Sequence, residues 1–101
     1  MSKSSFSDII NSSIPVVLDF HADWCGPCKT QGPILKQLKS QMGNKVKIVK
    51  IDVDRNQPLA NKLGIRSIPT LMIFQGGERK WQAMGVQNLA VLKQQLEKLV
   101  G

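Results

Sequence analysis

The alternation of apolar and polar positions divides the chain into short elements of two kinds. Phe6, Ile9 and Ile10 have the spacing of a short amphipathic helix, with Ser5 where an N-cap belongs. Ile14 to Phe20 is an apolar run rich in β-branched side chains that starts beside Pro15, the pattern of a buried strand. From Gly26 to Met42 the period turns helical: Ile34, Leu35, Leu38 and Met42 share a face, Pro33 kinks the middle, and Gly43-Asn44 ends the run. Val46 to Val53 reads as a second strand, its apolar positions being Val46, Ile48, Ile51 and Val53, with Val49 out of the alternation. A strand–helix–strand of this length forms a right-handed parallel unit.

Beyond it, Pro58 to Leu63 is a short helix stopped by Gly64, and Thr70 to Phe74 is a third strand. Gln75-Gly76-Gly77-Glu78 is a hairpin turn into a fourth strand over Arg79 to Met84. Asn88 caps a last helix whose stripe is Leu89, Leu92, Leu96 and Leu99. Repeats, low-complexity tracts and linkers are absent from the sequence. The expected fold class is α/β, a central mixed sheet with helices on both faces, in a single domain over residues 1–101. In such a platform the loops at the strand ends carry the chemistry.

Composition adds limits. A hydrophobic share of 42% with 21% charged residues is ordinary for a soluble globular protein. No apolar run approaches the roughly 18–20 residues that span a bilayer. Met1 to Asp8 contains no unbroken apolar stretch of a secretory signal, so a cytoplasmic location without membrane attachment is expected; a mature chain whose signal had been removed would read the same way. Lys and Arg number 14 against 7 Asp and Glu, a formal charge of +7. The basic residues are scattered from Lys3 to Lys98, and two Trp and three Phe offer few stacking platforms, so no specific nucleic-acid partner is expected. The charge is better suited to steering encounters with acidic partner proteins.

The two cysteines narrow the picture most. A disulfide between Cys25 and Cys28 closes almost no loop and would constrain the unfolded chain very little. A zinc site needs four ligands as a rule, and the chain has two Cys and one His, so no metal is expected. Redox chemistry remains, with no cofactor beyond the cysteine pair. Trp24-Cys25-Gly26-Pro27-Cys28-Lys29 lies where the first strand gives way to the long helix. At a helix N-terminus, unpaired N–H groups and the macrodipole favour thiolate over thiol, and only thiolate attacks a disulfide. Cys25, first and expected to be the more exposed, is the candidate nucleophile. Cys28, one turn on, is placed to resolve the mixed disulfide.

The pieces V-V-L-D-F-H-A-D-W-C-G-P-C-K, P-I-L, K-I-D-V-D and G-I-R-S-I-P-T-L, with the late Gly85, together resemble the thioredoxin family from Phe6 to the last helix. The resemblance implies a buried acid at Asp19, inside an apolar strand, that relays a proton to or from Cys28. Burial would raise its pKa toward neutrality, which suits that task. It implies a lysine near that acid at Lys50, and a cis-proline loop at Ile68-Pro69 that faces the cysteines and leaves the Ile68 backbone open to pair with substrate. Trp24, Gly26, Pro27, Gly64, Ile65 and Gly85 would complete a flat rim that docks partners. Gly85 can also be read as a sharp turn, and Pro33 as shaping its helix.

Two features depart from that pattern. His21 stands where the family commonly has Trp; it reads either as a packing substitution or as a positive charge near Cys25 that lowers its thiol pKa. The family also carries an edge strand before the first helix, and too few residues precede Phe6 to form one. Four strands are therefore expected, with the Lys45–Val53 strand at an edge, where Lys45, Lys47 and Lys50 discourage edge-to-edge pairing. Three functional readings share the fold. The first is a monomeric reductase of protein disulfides, supplied by thioredoxin reductase and acting on disulfide-containing protein substrates. The second is an oxidant, isomerase or dedicated extracytoplasmic reductant; the third is a binding module whose cysteines are incidental. Gly-Pro between the cysteines favours the first, since the resemblance ties that pair to reducing members.

Overall fold

Two central strands with both faces covered set the architecture, and their sequences are accordingly near-continuous apolar runs. A computed structural model describes residues 3–100; Met1, Ser2 and Gly101, which the expected domain spans, lie outside the described residues. The elements are α1 (Lys3–Ile10), β1 (Val16–His21), α2 (Gly26–Met42), a 3₁₀ turn (Gly43–Lys45), β2 (Lys47–Asp52), α3 (Gln57–Lys62), β3 (Thr70–Gln75), β4 (Glu78–Met84) and α4 (Leu89–Glu97). The sheet order is β2-β1-β3-β4. β1 runs parallel to β2 and antiparallel to β3, and β3 and β4 form an antiparallel hairpin.

The period-two alternation of β1 assigns its side chains to two cores. Val17 packs with Leu35, Leu38, Met42, Leu92 and Leu96, between the sheet and α2 and α4. Val16, Leu18 and Phe20 pack with Ile51, Met72 and Phe74, on the face covered by Phe6 and Ile9 of α1 and Leu59 of α3. The Phe6 ring meets Phe74 edge-on at 6.0 Å between centroids. Asp19 and His21 fall on the Val17 face, under α2.

The sheet has four strands among the described residues and β2 is at an edge, as the short stretch before Phe6 implied. Most strand and helix ends moved by one or two residues, and three shifts change a reading. α1 starts at Lys3, so Ser5 lies inside the helix and is not its cap. Lys45 and Val46 precede β2, because the 3₁₀ turn that follows α2 consumes Lys45. Leu99 lies past the end of α4, yet still packs on the core beside Leu96. Asn88 caps α4 as expected, its side chain accepting from Val91 N–H at 2.9 Å. Pro33 sits inside an unbroken α2 of 17 residues.

At the β3–β4 turn both Gly76 (φ 59°) and Gly77 (φ 82°) are left-handed, the backbone of a two-residue hairpin that side chains resist. That turn holds the chain end of α1: Gly76 N–H donates to Ser12 O at 2.8 Å and Gly77 N–H to Ile10 O at 3.0 Å. The Gln75 amide donates to Ser13 O at 2.9 Å and Leu99 O at 3.0 Å.

Candidate active site

Cys25 occupies the N-cap of α2 in extended backbone, and its sulfur accepts the Cys28 N–H at 3.2 Å. One of the four donors that a helix N-terminus leaves unpaired is thus aimed at this sulfur, which would disperse negative charge there. Gly26 and Pro27 form the exposed first turn, where proline's missing N–H costs nothing. Cys25 and Cys28 are joined as a disulfide, with Cα atoms 5.3 Å apart.

The expected difference in exposure is corrected here. Cys25 is 4% exposed and Cys28 7%, so Cys25 is not the more open residue of the two in the oxidised state. The reason is the opposite wall. Ile68 and Val53 pack on Ala22 and the two cysteines, and Ile68 O lies 3.7 Å from Cys25 Sγ. The Ile68–Pro69 peptide bond is cis, as the resemblance implied. Pro69 is buried, and its carbonyl accepts the Gly85 N–H at 2.8 Å, which brings the loop after β4 to the same wall. Gly85 has φ 83°, a conformation that a side chain would strain.

Around this point the surface is unusually apolar. Trp24 (71% exposed), Met84 (66%) and Val86 (40%) are the large apolar side chains that stand open among the described residues. A cleft of about 290 Å³ between Trp24, Val53, Ile65 and Ile68 opens beside them, with Arg66 and Ser67 at its edge. The Trp24 indole N–H donates to Asp54 Oδ2 at 2.8 Å, and Asp54 N–H donates to Asp52 Oδ1 at 2.9 Å, so the exposed ring is held in one orientation. Asp54, Met84 and Val86 escaped sequence reasoning. Asp54 lay in the quoted K-I-D-V-D piece without an assigned task, and nothing local marks Met84 and Val86 as open rather than buried.

Behind the disulfide the chemistry is polar. Asp19 is 1% exposed and neither carboxylate oxygen has a hydrogen-bond partner. Burial pushes its pKa above the ordinary carboxylate value, while the charges of His21 and Lys50 pull the other way. Lys50 is the cross-strand partner of Asp19 and is exposed. It lines a cavity of about 370 Å³ with His21, Asp23, Cys28, Lys29 and Lys36. The cavity therefore opens Cys28 to solvent on the side of Lys50. His21 is half-buried and lines this cavity together with Cys28.

His21, Asp23 and Asp52 each bring one potential ligand atom within 4.8 Å of the others. Asp52 is already engaged: its Oδ1 also accepts from Arg55 N–H at 3.3 Å, and the Arg55 side chain stands 3.9 Å from Oδ2. Three ligand atoms, one of them on a carboxylate already engaged with Arg55, do not make a closed coordination shell.

A helix-capping cysteine in a buried C-x-x-C disulfide, walled by a cis-proline loop and ringed by an apolar rim, is equipped for thiol–disulfide exchange. The comparisons agree. The family model described as Thioredoxin matches residues 1–98. A thioredoxin of Synechocystis sp. is 44% identical over 99 residues, covering 97% of this chain and 92% of that protein. A bifunctional thioredoxin reductase/thioredoxin of Mycobacterium leprae is 39% identical over 97 residues, covering 96% of this chain and 21% of that protein. The structure of a mutant thioredoxin from Halobacterium salinarum superimposes with a TM-score of 0.89 at 36% identity, over 100% of this chain and 88% of that one. Fold and site define a protein thiol–disulfide oxidoreductase. The chain belongs to the thioredoxin family.

Proposed function

We propose that this protein reduces disulfides of other proteins with Cys25 as nucleophile, Cys28 as resolving thiol and Asp19 as proton relay, the whole chain working as one monomeric domain in the cytoplasm. The observation that carries the reading is the Cys25 sulfur at the N-cap of α2, accepting the Cys28 N–H at 3.2 Å. In the reduced protein the Cys25 thiolate attacks one sulfur of a target disulfide. The target S–S bond breaks, a Cys25–target bond forms, and the departing target thiolate takes up a proton. Cys28 then gives its proton to Asp19 and attacks Cys25 Sγ. The second target thiolate leaves, and two electrons have passed from the Cys25–Cys28 dithiol to the target. Asp19 is suited to the transfer because burial brings its pKa up toward that of a thiol, and Lys50 at the water-lined side balances the charge.

Trp24, Gly26, Pro27, Ile68 and Gly85 are the surface on which the target lies, extended against the Ile68 backbone, which the buried Pro69 supports from beneath. Thioredoxin reductase is the proposed electron donor, which the match to a fused reductase/thioredoxin supports. Cys28→Ser is expected to accumulate a covalent mixed disulfide with a protein substrate, seen on a non-reducing gel, while Cys25→Ser accumulates none. The reverse pattern overturns the assignment. The reduction potential of the pair is expected at or below the cytosolic glutathione poise; a value near that of oxidising folding factors would make the protein an oxidant.

A further inference from the structure

Among the described residues, β2 is an edge of the sheet with no strand on its outer side. Lys47 N–H donates to Pro15 O and Val53 N–H to His21 O, both at 2.9 Å, so residues 47, 49, 51 and 53 turn their backbone groups toward β1. In a parallel pair the alternate residues point the other way. Ile48, Lys50 and Asp52 therefore direct their N–H and C=O groups away from the sheet; of these, Asp52 O is taken by the Asn56 amide at 2.9 Å. Ile48 and Val49 are only half-buried, although a strand flanked on both sides would hide them. The edge thus offers donors, acceptors and apolar area to an added strand.

Its charge is one-sided. Lys45 and Lys47 are exposed at its start, and Lys50 is exposed farther along. A groove of about 210 Å³ runs beside it, lined by Leu35, Lys36, Lys39, Ile48 and Lys50. The Lys39 ammonium is pinned there, donating to Gly43 O at 2.9 Å and Val46 O at 2.8 Å. The carboxylate at this end, Asp52, is already engaged with Arg55 and two backbone N–H groups. A second copy added edge to edge would set lysines against lysines. We propose that the open edge of β2 is a docking site for an acidic, extended segment of a partner protein, which adds as an outer strand with carboxylates against Lys45, Lys47 and Lys50. The charges that reject self-pairing are the ones that select this partner.

The test uses the oxidised chain and a synthetic peptide of alternating Glu and Val, compared with one of alternating Lys and Val, followed by NMR with amide hydrogen exchange. The acidic peptide is expected to bind, to slow exchange at Ile48 and Lys50, and to weaken as salt rises from about 50 to about 500 mM. The double variant Lys45→Glu, Lys47→Glu is expected to bind it about tenfold more weakly while reducing a small aromatic disulfide at the unaltered rate. Ile48→Pro, which removes an outward N–H together with a side chain packed on the core, is expected to abolish the exchange protection at Lys50. The proposal falls if the peptide leaves the β2 amides unprotected, contacts the Trp24–Ile68 cleft instead, or binds the charge-reversed variant as tightly. It falls too if the protein alone dimerises with those amides already protected, since the occupant would then be a second copy.

Discussion

At Asp19 two carboxylate oxygens are buried without a partner, an arrangement that costs folding energy and persists where it is used. Its folded pKa lies above the unfolded value of about 3.9. Between those two values the native state holds the proton that the unfolded state has lost. Stability therefore falls as pH rises through that window and levels off above it. Asp19→Ala is expected to raise stability by about 1–3 kcal/mol at pH 8, with the gain vanishing near pH 3, in urea titrations at the two pH values. An equal gain at both would mean that the carboxylate's charge is not the cause. The same variant should slow resolution of the mixed disulfide. Asp19 was legible because a charge inside an apolar run is conspicuous. Asp54 was not, since an aspartate after a strand is ordinary until Trp24 is seen to reach it across thirty positions of chain. The relative exposure of Cys25 was misread for a related reason: its cover, Ile68, comes from a distant loop.

Among the elements, α2 carries the most. Its apolar stripe was plain in the sequence, but its Gln31, fully buried, reads there as a surface residue. The Gln31 amide donates to Gln87 O at 3.1 Å and accepts Gln87 N–H at 2.8 Å, closing a two-bond link to the loop that holds Gly85 and Val86. Local periodicity cannot reveal such a link, because its partner is 56 positions away. Gln31→Leu is expected to cost about 2 kcal/mol and to speed exchange of the Gln87 amide. Unchanged exchange there would show that the loop holds itself. Loss of activity toward protein substrates, with small disulfides still reduced, would mark Gln31 as a positioning residue for the rim. The strands and helices were otherwise readable to within a few residues, since each is short, strongly patterned and punctuated by Gly, Pro or Asn. The start of α1 was not, because Ser5 looks like a cap whether or not the helix begins before it.

For the whole molecule the pair of strands β1 and β3, covered on both faces, made the α/β class legible. What the +7 charge does was not, because only the fold brings Lys36 and Lys39 of α2 beside the lysines of β2. Reduction of an acidic protein disulfide is expected to slow with added salt, and that of a basic one to quicken; rate slopes of the same sign would remove the steering role. The β3–β4 turn has a consequence of a different kind. It grips the backbone at Ile10 and Ser12 through its glycines, and at Ser13 and Leu99 through Gln75. Elements at opposite ends of the chain, on opposite faces of the sheet, thus share one fastening. If that turn springs open, α1 and the tail after α4 come loose together, so their slow amides should exchange as one cooperative unit while β1 and β3 stay closed.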